Sequence, residues 1–403
     1  MTGLIKSISL VYRKVTTSIA FVPGLIALAM LALSIVMIEL DFSPTGKDIK
    51  SKLPWLTLKD ASTARIICST IAGGIFSLAV FSFSMVMILL SQVASQMSNR
   101  ILGKLIQNRF QQVVLGFYIG TILYALFLLS TIRDIDTGVH VPAISSYLLI
   151  SLTIVDIFLF IYFLHYVTES VKFDTIIYQI FKDTEKGLKA ACVVEGNKSF
   201  SSSLKEGFVV KAFKSGSYDG FDKNELLALC KKHDVTISFA YPVRTYMICD
   251  VTTLLTIDGK ENIGEQFSKE LPALIDIGRT HDIGTSYYYG FKQLMEIGIK
   301  ALSPGIHDPG TCILSLRALG ELFAWRLVHS PETEFKDEDG NVRITTSEKT
   351  FDEMFDEHIL PIWDYANKDR LVRHELVHIL EQLQSIGSSA AVDDLLLKCK
   401  QEK

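Results

Sequence analysis

The stretch ARIICSTIAGGIFSLAVFSFSMVMILL, from Ala64 to Leu90, carries a single charged residue, Arg65. A helix needs about 20 mostly apolar residues to cross a hydrocarbon core roughly 30 Å thick, so this run is long enough to span. Three runs of the same kind accompany it, Ile19–Leu40, Val113–Ile132 and Tyr147–Val167. The only carboxylates in them are Glu39, at the end of the first, and Asp156, in the middle of the last. No comparable run follows Val167. The expected fold is an α-helical transmembrane domain of four spans (1–168), a connecting helix (169–187) and a cytoplasmic α+β region.

Composition bounds the rest. Of the 403 residues 49% are hydrophobic, and the formal charge of −4 says little, because charge placement outweighs its sum in a membrane protein. Cys68, Cys192, Cys230, Cys249, Cys312 and Cys399 form no CxxC pair, which reads as reduced thiols in a cytoplasmic domain. The N-terminus is not a cleavable signal, since its apolar stretch continues past the usual h-region length of roughly 7–15 residues. Leu4, Ile8, Val11 and Val15 share one helical face before Pro23-Gly24. That face suggests an amphipathic lead-in on the membrane surface, with an extension of the first span as the alternative. Lys6, Arg13 and Lys14 precede the first span, and Arg100, Lys104 and Arg109 lie between the second and third. The positive-inside rule then places both termini in the cytoplasm, against the weaker lysines of Asp41–Ser62 and the short Arg133–Ser145 loop.

After Val167 the pattern turns polar, with Glu169–Lys186 read as a helix leaving the membrane. Residues 188–260 read as a small β-barrel or sandwich. Its strand candidates are Ala190–Val194, Phe208–Phe213, Val235–Tyr241 and Thr252–Ile257, with one helix, Lys223–Lys232. Residues 261–403 read as a helical domain. Its helices are Gly264–Asp276, Ser286–Leu302, Thr311–His329, Ser347–Ala366 and Arg370–Ile386, with a polar hairpin, Glu334–Ile344, around Asp339-Gly340.

Several stretches are familiar. Leu302-Ser303-Pro304-Gly305-Ile306-His307-Asp308-Pro309 resembles the Leu-Ser-Pro-Gly-Ile-Asn-Asp-Pro signature of domain-of-unknown-function family 2254, a set of predicted bacterial membrane proteins. Ser91–Gln96, Val114–Thr121 and Tyr124 are similar to that family's second and third spans, and Arg279-Thr280 with Asp282 to an element upstream of the signature. His307 stands where the family usually has Asn, and Ser98-Asn99-Arg100 where it often has Pro-Arg. The resemblance covers nearly the whole chain. It implies architecture and a bacterial inner membrane, and brings no assigned activity.

Read physically, the signature is a helix–turn–helix reversal. Pro304 disfavours helix before it, Gly305 permits positive φ, and Asp308-Pro309 supply an N-cap and an N1 residue. The free N–H groups of Gly310 and Thr311, with His307 and Arg279 nearby, form a candidate ligand or anion site, although Asp308 opposes an anion unless its carboxylate turns away. His374-Glu375-Leu376-Val377-His378 spells HExxH, which on a helix puts two zinc ligands one turn apart with Glu375 as general base. Against it, few residues remain for a third ligand, and Val372, Leu376, Ile379, Leu380 and Leu383 make a core stripe that leaves both histidines on the solvated side.

The spans carry the better clue. Asp156 must face protein or water, be protonated or find a partner, because a lipid-facing carboxylate costs about 3 kcal/mol or more. Thr70, Ser77, Ser84 and Ser91 recur every seven residues, drifting only about 20° per step. This stripe reads either as close small-residue helix packing or as the lining of a water-filled path, formed between subunits of a homo-oligomer. Three functions follow: a homo-oligomeric channel or transporter regulated by its cytoplasmic half, a non-conducting scaffold or ligand sensor, and a membrane-anchored zinc metalloprotease. The first two are not enzymes and need no cofactor. Partners expected are the bilayer, further copies of the chain, and a small ligand or protein on the soluble half; basic residues there are interleaved with acids, which excludes nucleic acid.

Overall fold

The apolar runs form helices of matching length in the computed structural model, which describes residues 18, 20–53, 58, 60–96, 109–135, 138–170, 172–196, 207–259, 265–278 and 287–401. The N-terminal lead-in before Ser18, Arg100, Lys104, and the family element Arg279, Thr280 and Asp282 lie outside the described residues. The chain divides into two compact units, Met1–Lys172 and Phe173–Lys403.

In the first unit α1 (Phe21–Phe42) is followed by the short α2 (Pro44–Lys52), α3 (Ala61–Gln96) and α4 (Arg109–Thr131). A two-stranded hairpin, β1 (Arg133–Ile135) and β2 (Gly138–His140), leads to α5 (Ala143–Ser170). The four long helices are apolar enough to cross a membrane. Tyr118, Tyr124, Leu128, Leu149 and Phe163 fill the interior, while Leu28, Ile66, Ile88 and Phe158 face outward. That distribution suits lipid, which is as apolar as the side chains it meets. The seam between α1 and α4 runs over Gly116 and Gly120. A Cβ on Gly116 would lie 2.8 Å from the Ile26 side chain and 3.0 Å from Pro23 Cα, and one on Gly120 would lie 2.6 Å from Met30. This Gly-x-x-x-Gly spacing lets the two backbones approach.

At one end of the bundle Asp41, in the last turn of α1, is fully buried. One of its oxygens accepts from the Ser145 N–H at 2.7 Å and Ser145 Oγ at 2.6 Å, and the other from the Ile144 N–H at 3.1 Å. Lys50 on α2 donates to it at 3.0 Å. The first N–H groups of α5, which have no partner within their own helix, are thus capped by a side chain from another helix.

The second unit begins with α6 (Phe173–Ala191). The expected Glu169–Lys186 exit helix is therefore two helices, α5 ending at Ser170. Of the expected strand Ala190–Val194, Ala190 and Ala191 end α6, and only Val194 is in a strand, β3 (Val194–Glu195), paired with β10 (His329–Ser330). Next come β4 (Phe208–Lys211), β5 (Gly216–Phe221), α7 (Lys223–His233), β6 (Thr236–Phe239), β7 (Tyr246–Met247) and β8 (Thr253–Asp258). α8 (Glu265–Leu274) passes directly into β9 (Ile275–Gly278), so the expected helix Gly264–Asp276 ends early in a strand.

Helices α9 (Tyr287–Ala301) and α10 (Pro309–Val328) follow, then the hairpin β11 (Glu334–Lys336) and β12 (Val342–Thr345), and α11 (Phe351–Ala366), α12 (Arg370–Ile386) and α13 (Ala390–Gln401). The hairpin is where the sequence placed it, but β12 also pairs in parallel with β6. One open sheet, ordered β11-β12-β6-β8-β4, thereby draws strands from either side of residue 260, and a smaller one is ordered β7-β5-β9.

Among the described residues no barrel closes. Leu226, Leu229 and Cys230 of α7 belong to one core with Ile237, Leu255, Ile257 and Ile344, so a helix covers apolar surface that a closed barrel would have turned inward. Around Phe291, Phe323, Phe351 and Phe355 the helices bury edge-to-face aromatic contacts.

Candidate functional site

Asp156 lies at mid-length of α5, fully buried, and neither carboxylate oxygen has a hydrogen-bond partner. Thr121 and Tyr118, one turn apart on α4, are within interaction range of it, and Ser82 of α3 is near the Tyr118 hydroxyl. All three hydroxyls are buried and unpartnered. Three helices thus converge four polar side chains inside the spanning unit. Burying polar groups without partners costs free energy, so a cluster of this kind is a strain reservoir or a place for something else to bind.

The period-seven stripe does not join this cluster. Thr70, Ser77, Ser84 and Ser91 are all exposed on the outside of the bundle. Ser77 and Ser84 return their hydroxyls to Gly73 and Val80 of their own helix at 2.9 Å each. The stripe and Asp156 do not line one path within a single chain; it is Ser82, two residues before Ser84, that turns inward.

In the second unit His307, Asp308, Gly310 and Thr311 are together at the start of α10, and Arg279 is outside the described residues. Asp308 caps the helix: one oxygen accepts the Thr311 N–H at 3.1 Å and the other the Thr311 hydroxyl at 2.6 Å. The capping carboxylate therefore occupies the N-terminus that the anion reading needs empty. The positive φ expected at Gly305 falls on His307 instead, at 46°. Asn tolerates that left-handed conformation better than most residues, which gives the family's Asn a backbone reason.

His374 and His378 are exposed on α12, and the amide of Gln382 meets His378 Nε2 at 3.1 Å. Glu375 accepts from Arg317 Nε at 2.7 Å and Nη2 at 3.1 Å, and this guanidinium holds its carboxyl below the usual range. Among the described residues no group of three potential metal ligands exists. Glu375 and His378, but not His374, line a cleft of 490 Å³ between α10 and α12, together with Arg317, Glu321, Ile379 and Leu383.

One polar cluster had no sequence signal. Tyr288 donates to Glu348 at 2.9 Å, and burial pushes the Glu348 carboxyl up to about 7, against the Tyr288 bond and the Arg326 charge. Fully buried Arg326 donates to the carbonyls of His329 and Lys349, while the Tyr218 and Tyr287 hydroxyls nearby have no partner. These residues come from β5, α9, α10 and the segment before α11, so no linear spacing announces them. Burial raises the Cys192 and Cys230 thiols to about 11 and about 12, leaving them inert at neutral pH.

A family model described as a predicted membrane protein (DUF2254) matches residues 16–382. Uncharacterized proteins of Mycobacterium bovis and of Mycobacterium tuberculosis strain H37Rv are each 25% identical over 328 residues, covering 77% of this chain and 60% of theirs. One from Mycobacterium tuberculosis strain CDC 1551 is 24% identical over the same length. The chain thus spans less than two thirds of the curated relatives it matches. No solved structure matches.

Proposed function

The chain belongs to the DUF2254 family of predicted membrane proteins, and we propose that it is a non-enzymatic, cofactor-free transport protein of the bacterial inner membrane that carries a proton or small cation at Asp156. The supporting observation is the fully buried, unpartnered carboxylate at mid-span. Intramembrane carboxylates are expensive and mark ion paths and proton relays. In this reading the cation is held inside each four-helix bundle. The outward Thr70–Ser91 face, where a Cβ on Gly73 or Gly74 would meet nothing within 4 Å, is the surface through which copies associate into a homo-oligomer. Both termini lie in the cytoplasm, and the second unit regulates the first. Reconstituted in liposomes under an imposed potential, the protein passes cations, and Asp156→Asn slows the flux at least tenfold. Liposomes silent across protons, sodium and potassium end this reading.

A second reading, a ligand sensor that conducts nothing, draws on the Tyr218, Tyr287, Arg326 and Glu348 cluster of the soluble unit. Retention of a specific metabolite or protein by wild type and its loss in Tyr287→Phe favour it.

A further inference from the structure

Between α3 and α4 the spanning unit holds a cavity of 280 Å³. Val86, Leu90, Leu115 and Phe163 are among its walls, and Gln111 and Gln112 border it on the side of the α3–α4 connection. Ser82 of α3 and Tyr118 of α4 also border it, Tyr118 seven residues beyond Gln111, about 10 Å at 1.5 Å per residue. Phe83 and Met87, also lining it, are 59% and 51% exposed, so the cavity opens sideways between the two helices, toward lipid rather than along the bundle axis. Ser82 is 5% exposed and Tyr118 0%, neither hydroxyl has a partner, and Asp156 lies within electrostatic reach of Tyr118.

The two ends of this space make different demands. Apart from Gln111 and Gln112 at one end its walls are mostly hydrocarbon, and an apolar cavity stays dry because a water needs about 2–4 polar partners. A pure hydrocarbon guest would fill the walls but leave two hydroxyls and a carboxylate unsatisfied in a medium where each missing bond is costly. A guest with an apolar body and a cationic, hydrogen-donating head meets both. We propose that the cavity between α3 and α4 binds lipophilic amines in their protonated form. The body packs on Val86, Leu115 and Phe163, and the ammonium donates to Ser82 and Tyr118 beside the Asp156 carboxylate. Entry is from the bilayer, through the gap flanked by Phe83 and Met87. This rests on the reading of Asp156 as the functional carboxylate, and adds the class of cation it serves.

The test uses the full chain in lipid nanodiscs and radiolabelled 2-phenylethylamine, with empty nanodiscs as the reference for partition into lipid. One amine binds per chain, saturably. Its uncharged counterpart, 2-phenylethanol, competes at least tenfold less well. Asp156→Asn weakens binding at least tenfold, and Val86→Trp, which fills the cavity, abolishes it. Leu115→Phe narrows the same space more gently, and weakens binding severalfold even where Val86→Trp does not fold. Equal competition by the alcohol, unchanged binding in Asp156→Asn, or wild-type binding in a folded cavity-filling variant each overturns the proposal. Saturable amine binding in liposomes that pass no cation leaves this site standing and removes the transport reading. Cation flux dependent on Asp156 without amine binding does the reverse.

Discussion

Arg317 on α10 holds both carboxylate oxygens of Glu375 on α12, through Nε at 2.7 Å and Nη2 at 3.1 Å. The central acid of the HELVH motif is therefore engaged as an ion-pair acceptor between helices. Its flanking histidines face solvent with no third ligand among the described residues.

Protein loaded with zinc and then dialysed should retain well below one zinc per chain by elemental analysis, with His374→Ala no different. Stoichiometric zinc that disappears in His374→Ala would restore the protease reading. Because Arg317 is 60% exposed, Arg317→Ala should cost less than about 1 kcal/mol of stability.

Asp41 makes a larger demand. Asp41→Ala strips the cap from α5 and leaves Lys50 half-buried without its acid, a loss of about 3 kcal/mol. Asp41→Asn keeps part of the cap and should cost about half as much. Thermal unfolding in detergent reads both, and equal melting of the two variants with wild type would remove the cap from the stability account.

The α1–α4 seam distinguishes its two glycines. Gly116→Ala meets the Pro23 backbone, which cannot yield, and should cost about 1–3 kcal/mol. Gly120→Ala meets the flexible Met30 side chain and should cost less than about 1 kcal/mol. The reverse order in the same melting experiment would place the close approach elsewhere.

Glu348 links the second unit to pH. Its folded carboxyl titrates at about 7 against an ordinary value of 4.5, so the native state holds a proton that the unfolded chain releases. Stability from this group is complete below pH 4.5, declines as pH rises toward 7, and is flat above it; the loss is up to about 3 kcal/mol. Glu348→Gln should flatten that decline and raise the melting temperature at pH 8. Fluorescence of Trp325 and Trp363, both in this unit, follows the transition. An unchanged pH profile in the variant assigns the dependence to another group.

The four spans were legible because a long apolar run has one stable answer in a bilayer, and Asp156 because one charge interrupts such a run. Its companions were not, since Ser82, Tyr118 and Thr121 are ordinary in any spanning helix and only the rotation of α3 and α4 turns them inward. The same rotation sends Thr70, Ser77, Ser84 and Ser91 outward: a period of seven identifies one face and is silent about what it faces. In the second unit the bounds of α12 coincide with the reading, as an amphipathic stripe and the Asp369 cap fix them locally. Strand β5 was missed because Gly216, Asp219 and Gly220 argue against a strand. It is extended because β7 and β9 pair with it from either side. The β6–β12 pairing joins segments more than a hundred residues apart, and the Glu348 cluster has the same non-local origin.

The bond between Asp41 and Ser145 also has a place in time. It joins the first span to the last across 104 residues, so during synthesis the carboxylate exists long before its partners do. Until α5 is threaded, Asp41 can only stay at the water-exposed end of α1 with Lys50, and a chain truncated after three spans leaves that acid without its Ile144 and Ser145 donors. Only the finished bundle makes this contact. A single carboxylate thereby records whether the membrane half of the molecule has been completed.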